Sequence, residues 1–197
     1  MQEKFWLVIS GQQFIGKGKI GAALQDAYGS RAVYLSTGDK ARKLKMEAAD
    51  KALFIDDNII NGWVIEDLFD PLEQDLSLVA AMLDGAPRTE KQEECLYEEA
   101  RRRGFVIILL KLNAPRRIAL ERHKKRVAEE GRTDDLDNEK VAKRFHDYDM
   151  YTIPALGKLS DRPGVLTFSI DAVPELNIVV KSILNALQSV QAFSQAA

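Results

Sequence analysis

The chain has 197 residues, which is long enough for one sizeable hydrophobic core and requires no second independent domain. Its 28 basic and 30 acidic residues leave a formal net charge of −2, which argues against an overall attraction to nucleic acid or to a membrane surface. The one cysteine, Cys95, excludes an internal disulfide, and no cleavable signal precedes the first apolar run. We therefore expect a single cytoplasmic domain, residues 1–197, that binds neither nucleic acid nor a membrane.

Short apolar runs alternate with amphipathic helical patterns along the whole chain. Strands are predicted over 5–9, 32–35, 78–83, 105–112 and 165–170. Helices are predicted over 17–28, from 40 to 46 or beyond, over 59–68, 89–103, 115–128 and 138–151, and after 174. Such alternation predicts a parallel sheet with helices on both faces, whose ligands bind at the carboxyl ends of the strands.

Local details of these elements can be predicted as well. Residues 36–39 are expected to form a turn between the second strand and a basic helix. Asp57 or Asn58 is expected to cap the third helix, and Pro71 to break or kink it near its end. Cys95 falls within a helical pattern, which favours a packed, inert thiol.

The turn after the first strand reads GQQFIGK, with four residues between Gly11 and Gly16 and Lys17 directly after. This is the spacing of a phosphate-binding loop. Its glycines let backbone N–H groups turn toward the phosphate oxygens, while the lysine and the helix N-terminus add positive potential. Gly18 stands where such loops usually carry a serine or threonine that contacts magnesium. The same spacing also fits an ordinary connection between a strand and a helix, so the loop alone does not decide the function.

Further polar and charged motifs occur downstream of the loop. They are STGD at 36–39 with Arg42, DGAPRT at 84–89 with Gln92, Arg122 with Arg126, RTDD at 132–135, and Arg144. By itself, a basic run such as the one at 116–126 is most often a solvated helix face. The motifs that follow strands should instead converge with the phosphate loop at one edge of the sheet. Arginines at such an edge can hold phosphates through two parallel hydrogen bonds.

In this order and at these spacings, the motifs resemble those of the adenylate kinase family of nucleoside monophosphate kinases, over nearly the whole chain. The resemblance implies an α/β fold of the P-loop type, with a five-stranded parallel sheet flanked by helices. It also implies an acceptor-binding insertion at 36–65 and a short lid at 127–137. That lid segment contains no cysteine, so no zinc is expected there. The implied substrates are ATP and AMP, the implied cofactor is Mg²⁺, and we expect a monomer.

The resemblance implies a role for each matching residue. Catalytic roles fall to Lys17, Arg88, Arg122, Arg132 and Arg144. ATP would contact Gly11, Gly16, Lys17, Gly18, Arg122 and Arg126. AMP would contact Thr37, Arg42, Gly85, Arg88 and Gln92. Asp84 would hold magnesium through water, and the protein would act mainly by positioning the substrates and neutralising their charge.

The phosphate loop and the residues beside it depart from the family pattern, which usually has proline, glycine and threonine where this chain has Gln13, Phe14 and Lys19. A phenylalanine at a position that needs a positive φ would strain the backbone. These departures leave open a nucleotide-binding regulatory protein with weak or no transfer activity. A UMP/CMP-type kinase is the other alternative, although Thr37 and Gln92 favour AMP as the acceptor.

Overall fold

The computed structural model describes residues 3–44, 55–130 and 136–196. Its centre is a five-stranded sheet in the order β2-β3-β1-β4-β5, in which every neighbouring pair is parallel. The strands are β1 (Phe5–Ser10), β2 (Ala32–Ser36), β3 (Ala80–Asp84), β4 (Val106–Asn113) and β5 (Val165–Asp171). The predicted five-stranded parallel sheet is confirmed.

Helices connect the strands and cover both faces of the sheet. They are α1 (Lys17–Tyr28), α2 (Thr37–Lys43), α3 (Asp57–Val64), α4 (Asp70–Gln74), α5 (Glu90–Arg102), α6 (Arg116–Glu130), α7 (Asn138–Asp147), α8 (Ile153–Ser160) and α9 (Leu176–Ala196). Two π-helical stretches, Ile65–Phe69 and Tyr148–Thr152, join α3 to α4 and α7 to α8.

The core lies on both sides of β1 because successive side chains of a strand point to opposite faces. Leu7 and Ile9 belong to the hydrophobic cluster that includes α1 and α9, whereas Trp6 and Val8 belong to the cluster that includes α3, α5 and α8. All of β1 is buried. This burial explains why its sequence is a continuous apolar run rather than an alternating one.

The start of α2 differs from the prediction. Residues 36–39 do not form a separate turn, since α2 begins at Thr37, directly after β2. Ser36 caps the helix, and its Oγ accepts a hydrogen bond from the backbone N–H of Asp39 at 3.3 Å. The helix ends at Lys43, short of the predicted residue 46, which lies outside the described ranges.

In the helices after residue 55, two predicted details are wrong, and the predicted break at Pro71 takes the form of a π-helical stretch. Asp56, rather than Asp57 or Asn58, caps α3 by accepting a hydrogen bond from the Asn58 N–H at 2.8 Å. Pro71 lies in the first turn of α4, directly after a π-helical stretch. Proline has no N–H to donate to the preceding turn, so the regular α-helical hydrogen bonding is interrupted next to Pro71. The interruption that the sequence predicts is therefore seen as a π-helical stretch. The helix predicted over 138–151 continues through the second π-helical stretch to the end of α8.

Cys95 is exposed, which contradicts the predicted packed thiol. The buried residues of α5 include Leu96, Tyr97 and Ala100, and Cys95 lies beside their stripe. Partial burial and the Glu99 carboxylate raise the pKa of the thiol. A raised pKa keeps the thiol protonated and therefore poorly nucleophilic.

Among the described residues, no helix combines the length and the apolarity that crossing a membrane would require.

Candidate active site

The carboxyl ends of β2, β3 and β1 lie side by side in the sheet. Thr37 Oγ1, which follows β2, donates a hydrogen bond to the backbone carbonyl of Asp84 at the end of β3, at 3.4 Å. Gly85 has a φ of +93°, and a Cβ atom at this position would lie 2.5 Å from Thr37 Oγ1. Only glycine allows so close an approach. The predicted convergence of the strand-end motifs is therefore confirmed for these two.

The phosphate loop joins β1 to α1 in the predicted manner. Gly16 caps α1 with a φ of +99°, and the first turn of the helix reads KGKI, without an acidic side chain. The N-terminal dipole of α1 is therefore left to attract an anion. Lys17 Nζ donates hydrogen bonds to the carbonyls of Gly11 at 2.9 Å and Gln12 at 3.0 Å. The ammonium group is thus bound to the backbone at the start of the predicted phosphate loop.

Three charged groups meet at this edge of the sheet, and burial disfavours the charge of each. Burial lowers the pKa of Lys17, although the Asp84 carboxylate opposes that shift. Burial also raises the pKa of Asp84, against the attraction of Lys17 and Arg88. The pKa of Arg88 is lowered, chiefly by burial and despite Asp84. Such mutual perturbation is typical of functional sites, where a ligand completes the charge balance.

Other arginines surround these three groups. The charges of Arg144 and Arg42 lower the pKa of Arg88 further, so both lie within electrostatic reach of it. Arg126 acts in the same way on Lys17. Several cations therefore converge on one cradle, which favours a ligand with multiple negative charges.

The structure brings most of the predicted site residues together. Around the phosphate loop and the turn after β3 lie Gly11, Gly16, Lys17, Gly18, Thr37, Arg42, Asp84, Gly85, Arg88, Gln92, Arg126 and Arg144. Arg132 lies outside the described residues, as does much of the predicted lid at 127–137, whose first residues extend α6 to Glu130. Part of the predicted acceptor insertion at 36–65 is likewise outside them.

Arg122 makes a different set of contacts from the other arginines. Its Nη1 donates to the carbonyl of Ile15 at 2.8 Å, and its Nη2 donates to the carbonyl of Val173 at 3.0 Å. It therefore joins the phosphate loop to the segment that follows β5. In the described conformation Arg122 supports the phosphate loop through its backbone.

Gln92 is 1% exposed, and the protein itself engages both ends of its amide. Its Oε1 accepts a hydrogen bond from the Arg88 N–H at 2.8 Å, and its Nε2 donates to Asp57 Oδ1 at 2.9 Å. Thr89 Oγ1 donates to the same Asp57 oxygen at 2.9 Å. A base that hydrogen-bonds with Gln92 would therefore have to share or displace the Asp57 contact.

The sequence interpretation missed residues that support the site from α7 and the following π-helical stretch. Asp147 is 6% exposed, its Oδ2 accepts a hydrogen bond from Lys143, and its charge acts on Arg88. Thr152 Oγ1 donates to the Arg88 carbonyl at 3.5 Å. Only the periodicity of α7 could have indicated that these residues share a face with Arg144.

One carboxylate, that of Asp84, would fit a hydrated magnesium ion that is shared with bound phosphates. Asp84 Oδ1 is buried and has no hydrogen-bond partner among the described residues. Within those residues, no group of three or more acidic, histidine or cysteine side chains is placed to hold a metal ion. Magnesium is commonly bound by one carboxylate together with waters and substrate phosphates, and Asp84 could supply that carboxylate.

We expect the free energy of unfolding of Asp84→Asn, taken relative to that of the wild type, to be higher at pH 8 than at pH 5. Because folding raises the pKa of Asp84, its contribution to stability is greatest at low pH and is lost as the pH rises through the folded-state pKa. Asparagine does not ionise and avoids that loss. Urea unfolding of both proteins at the two pH values measures the difference. A difference between the two proteins that stays constant or falls from pH 5 to pH 8 would contradict this reasoning.

Similarity to solved structures agrees with the architecture. A gluconokinase from Sinorhizobium meliloti 1021 superposes with a TM-score of 0.58 over 100% of both chains, at 15% sequence identity. At this identity the similarity concerns the fold alone. The parallel sheet, together with the loop between β1 and α1 and its lysine, defines an α/β protein with a phosphate-binding loop.

The sequence comparisons give the family, although no protein-family model matches the chain. The adenylate kinase of Bifidobacterium longum (strain NCC 2705) is 34% identical over 161 residues, covering 76% of this chain and 83% of that one. The adenylate kinase of Caulobacter vibrioides (strain NA1000 / CB15N) is 31% identical over 193 residues, covering 94% and 98%. The chain belongs to the adenylate kinase family.

Proposed function

We propose that the protein transfers the γ-phosphoryl group of ATP to AMP and so forms two molecules of ADP. The observation that carries this proposal is that the charges of Lys17 and Arg88 both act on the buried Asp84 carboxylate. One cation belongs to the phosphate loop and the other to the turn after the neighbouring strand. This arrangement suits two phosphate groups that approach each other from different nucleotides.

On the donor side, the phosphate loop would hold the β- and γ-phosphates. Its backbone N–H groups and the N-terminus of α1 supply fixed dipoles, and Lys17 supplies a charge. In the described conformation, the lysine Nζ bonds to two loop carbonyls. We expect phosphate oxygens to draw the ammonium group from these carbonyls, since an ammonium group binds an anionic oxygen more strongly than a neutral one.

On the acceptor side, Arg88 would bind the phosphate of AMP. Its Nε donates to the Gly85 carbonyl at 2.7 Å, which fixes the plane of the guanidinium group. A guanidinium held in this way can present its two Nη groups to a phosphate in a two-pronged arrangement. Arg42 and Arg144 would add positive charge as the transition state forms.

Mg²⁺ would neutralise charge on the donor phosphates, with Asp84 holding its waters. Arg132 and the lid segment would close over the phosphates and exclude water, which is the competing acceptor. We further propose that the protein acts as a monomer in the cytoplasm, on small-molecule substrates.

AMP is the proposed acceptor because Gln92 lies beside Arg88, and its amide could offer a donor and an acceptor to a base edge once its bonds to the Arg88 N–H and to Asp57 are shared or displaced. The test is a coupled assay of ADP formation from ATP–Mg with AMP, CMP, UMP and GMP. We expect kcat/KM to be highest for AMP. Faster transfer to CMP or UMP would show that AMP is not the preferred acceptor and would support the UMP/CMP-type alternative. Binding of ATP and AMP without turnover would support the regulatory alternative.

A further inference from the structure

Phe14 holds an unusual backbone conformation within the phosphate loop. Its φ of +64° makes it the one residue other than glycine with a positive φ among the described residues. A large side chain keeps such a conformation only where the surrounding contacts over-determine it. The Phe14 ring is 9% exposed, so these contacts lie inside the protein.

The Phe14 ring packs against α6 and α7, the two helices that flank the predicted lid. Its centroid lies 4.5 Å from the His123 ring and 5.7 Å from the Phe145 ring. The guanidinium carbon of Arg126 lies 4.8 Å from the same centroid, which is a cation–π contact. The carbonyl of Ile15 is also bonded to α6. Two consecutive residues of the phosphate loop are thus attached to α6.

The cation–π contact matters because Arg126 lies near another cation. Its charge lowers the pKa of Lys17, so the two positive groups face the same cradle and repel each other. The face of an aromatic ring attracts a guanidinium group without neutralising it. An arginine side chain held on this ring would still attract a phosphate by its charge. It would also lose less conformational entropy when the phosphate binds than a side chain that is not held in place.

We propose that Phe14 is a positioning residue for the donor, and that its ring holds Arg126 beside Lys17 at the phosphate loop. The left-handed backbone conformation turns the ring toward α6 and so makes this contact possible. The inference rests on the proposed function for the identity of the donor as ATP. It assigns a role to the residue at which the loop departs most from the family pattern.

A double-mutant cycle on ATP binding tests the proposal. Isothermal titration of the whole protein with ATP–Mg would give Kd for the wild type, Phe14→Leu, Arg126→Met and the double variant. Leucine keeps the strained backbone and most of the apolar volume but removes the ring face. We expect Phe14→Leu to raise Kd about fivefold. We expect the double variant to bind no more weakly than Arg126→Met alone, because the two residues act as a unit.

Phe145→Leu is the matched control, since it makes the same exchange in the same cluster. The Phe145 ring lies under Arg116, at 4.5 Å, rather than under Arg126. This variant should change Kd for ATP by less than about twofold. Phe14→Tyr keeps a ring at position 14 and should bind ATP about as well as the wild type. Thermal melts of all the variants report whether each one folds.

Two results would overturn the proposal. The first is additive effects of Phe14→Leu and Arg126→Met on Kd, and the second is an equal loss of affinity in Phe145→Leu. Failure of the wild type to bind ATP would instead count against the proposed function. The same cycle with inorganic tripolyphosphate would then still test Phe14, because that probe carries the phosphates alone.

Discussion

Arg88→Ala is expected to lower kcat/KM for transfer to AMP by about 10³-fold while the protein remains folded. Such a loss corresponds to about 4 kcal/mol of transition-state stabilisation. Burial lowers the pKa of Arg88 even beside the Asp84 carboxylate, so removing the charge relieves a cost that partly offsets the lost bond to the Gly85 carbonyl. The coupled assay measures the kinetic effect, and a thermal melt should show a midpoint near that of the wild type.

Two further variants, Arg88→Lys and Arg117→Ala, serve as controls for Arg88→Ala. Lysine keeps the positive charge but not the two-pronged geometry, so Arg88→Lys should recover only a small part of the lost activity. The side chain of Arg117 is 71% exposed on α6, and Arg117→Ala should leave the kinetics within about twofold of the wild type. Unchanged kinetics in Arg88→Ala would mean that the acceptor phosphate binds elsewhere.

Lys17→Met is expected to lower kcat/KM for ATP by about 10²- to 10³-fold. Methionine fills a similar volume but provides no charge to the donor phosphates. Burial lowers the pKa of Lys17 against the attraction of Asp84, so removing the charge relieves a cost in the folded protein. The lost hydrogen bonds to the two loop carbonyls oppose this gain, at about 1 kcal/mol each.

We therefore expect the melting midpoint of Lys17→Met to lie within a few degrees of the wild-type value. Lys125→Met is the control, because the side chain of Lys125 is 75% exposed on α6 and lies outside the described site. Wild-type turnover by Lys17→Met would contradict the assignment of the phosphate loop as the donor site. Loss of the folded state would show that the two hydrogen bonds to carbonyls stabilise the protein by more than the buried charge destabilises it.

The predictions for Lys17, Arg88 and Asp84 have a common physical basis. In each case burial disfavours the charged form, and the neighbouring charges only partly offset this cost. A site arranged in this way lowers the stability of the free protein and gains from binding phosphates and magnesium. Nucleotide binding should therefore raise the melting midpoint.

The elements around the phosphate loop could be predicted almost to the residue. β1 extends one residue beyond the predicted 5–9, and α1 matches 17–28. A strand buried on both faces produces a continuous apolar run, and Gly16 marks the start of the helix by its left-handed conformation. The sequence therefore carried strong signals for both elements.

Some of the features that were missed had local signals in the sequence, whereas one depended on a tertiary contact. Gln92 lies one turn before Leu96 on α5, and Cys95 lies beside that stripe, so a stricter use of helical periodicity would have placed both side chains correctly. The cap of α2 was also detectable, since Ser36 and Asp39 have capping-box spacing. By contrast, no local pattern indicates that Asp57 engages the Gln92 amide from another helix.

The most direct test of the central claim is a phosphorus NMR experiment on the purified protein with equal amounts of ATP–Mg and AMP. We predict that the ATP and AMP signals fall together while ADP forms, without release of inorganic phosphate. Release of inorganic phosphate with AMP unchanged would show that water is the acceptor. Spectra that stay constant while both nucleotides bind would contradict phosphoryl transfer altogether.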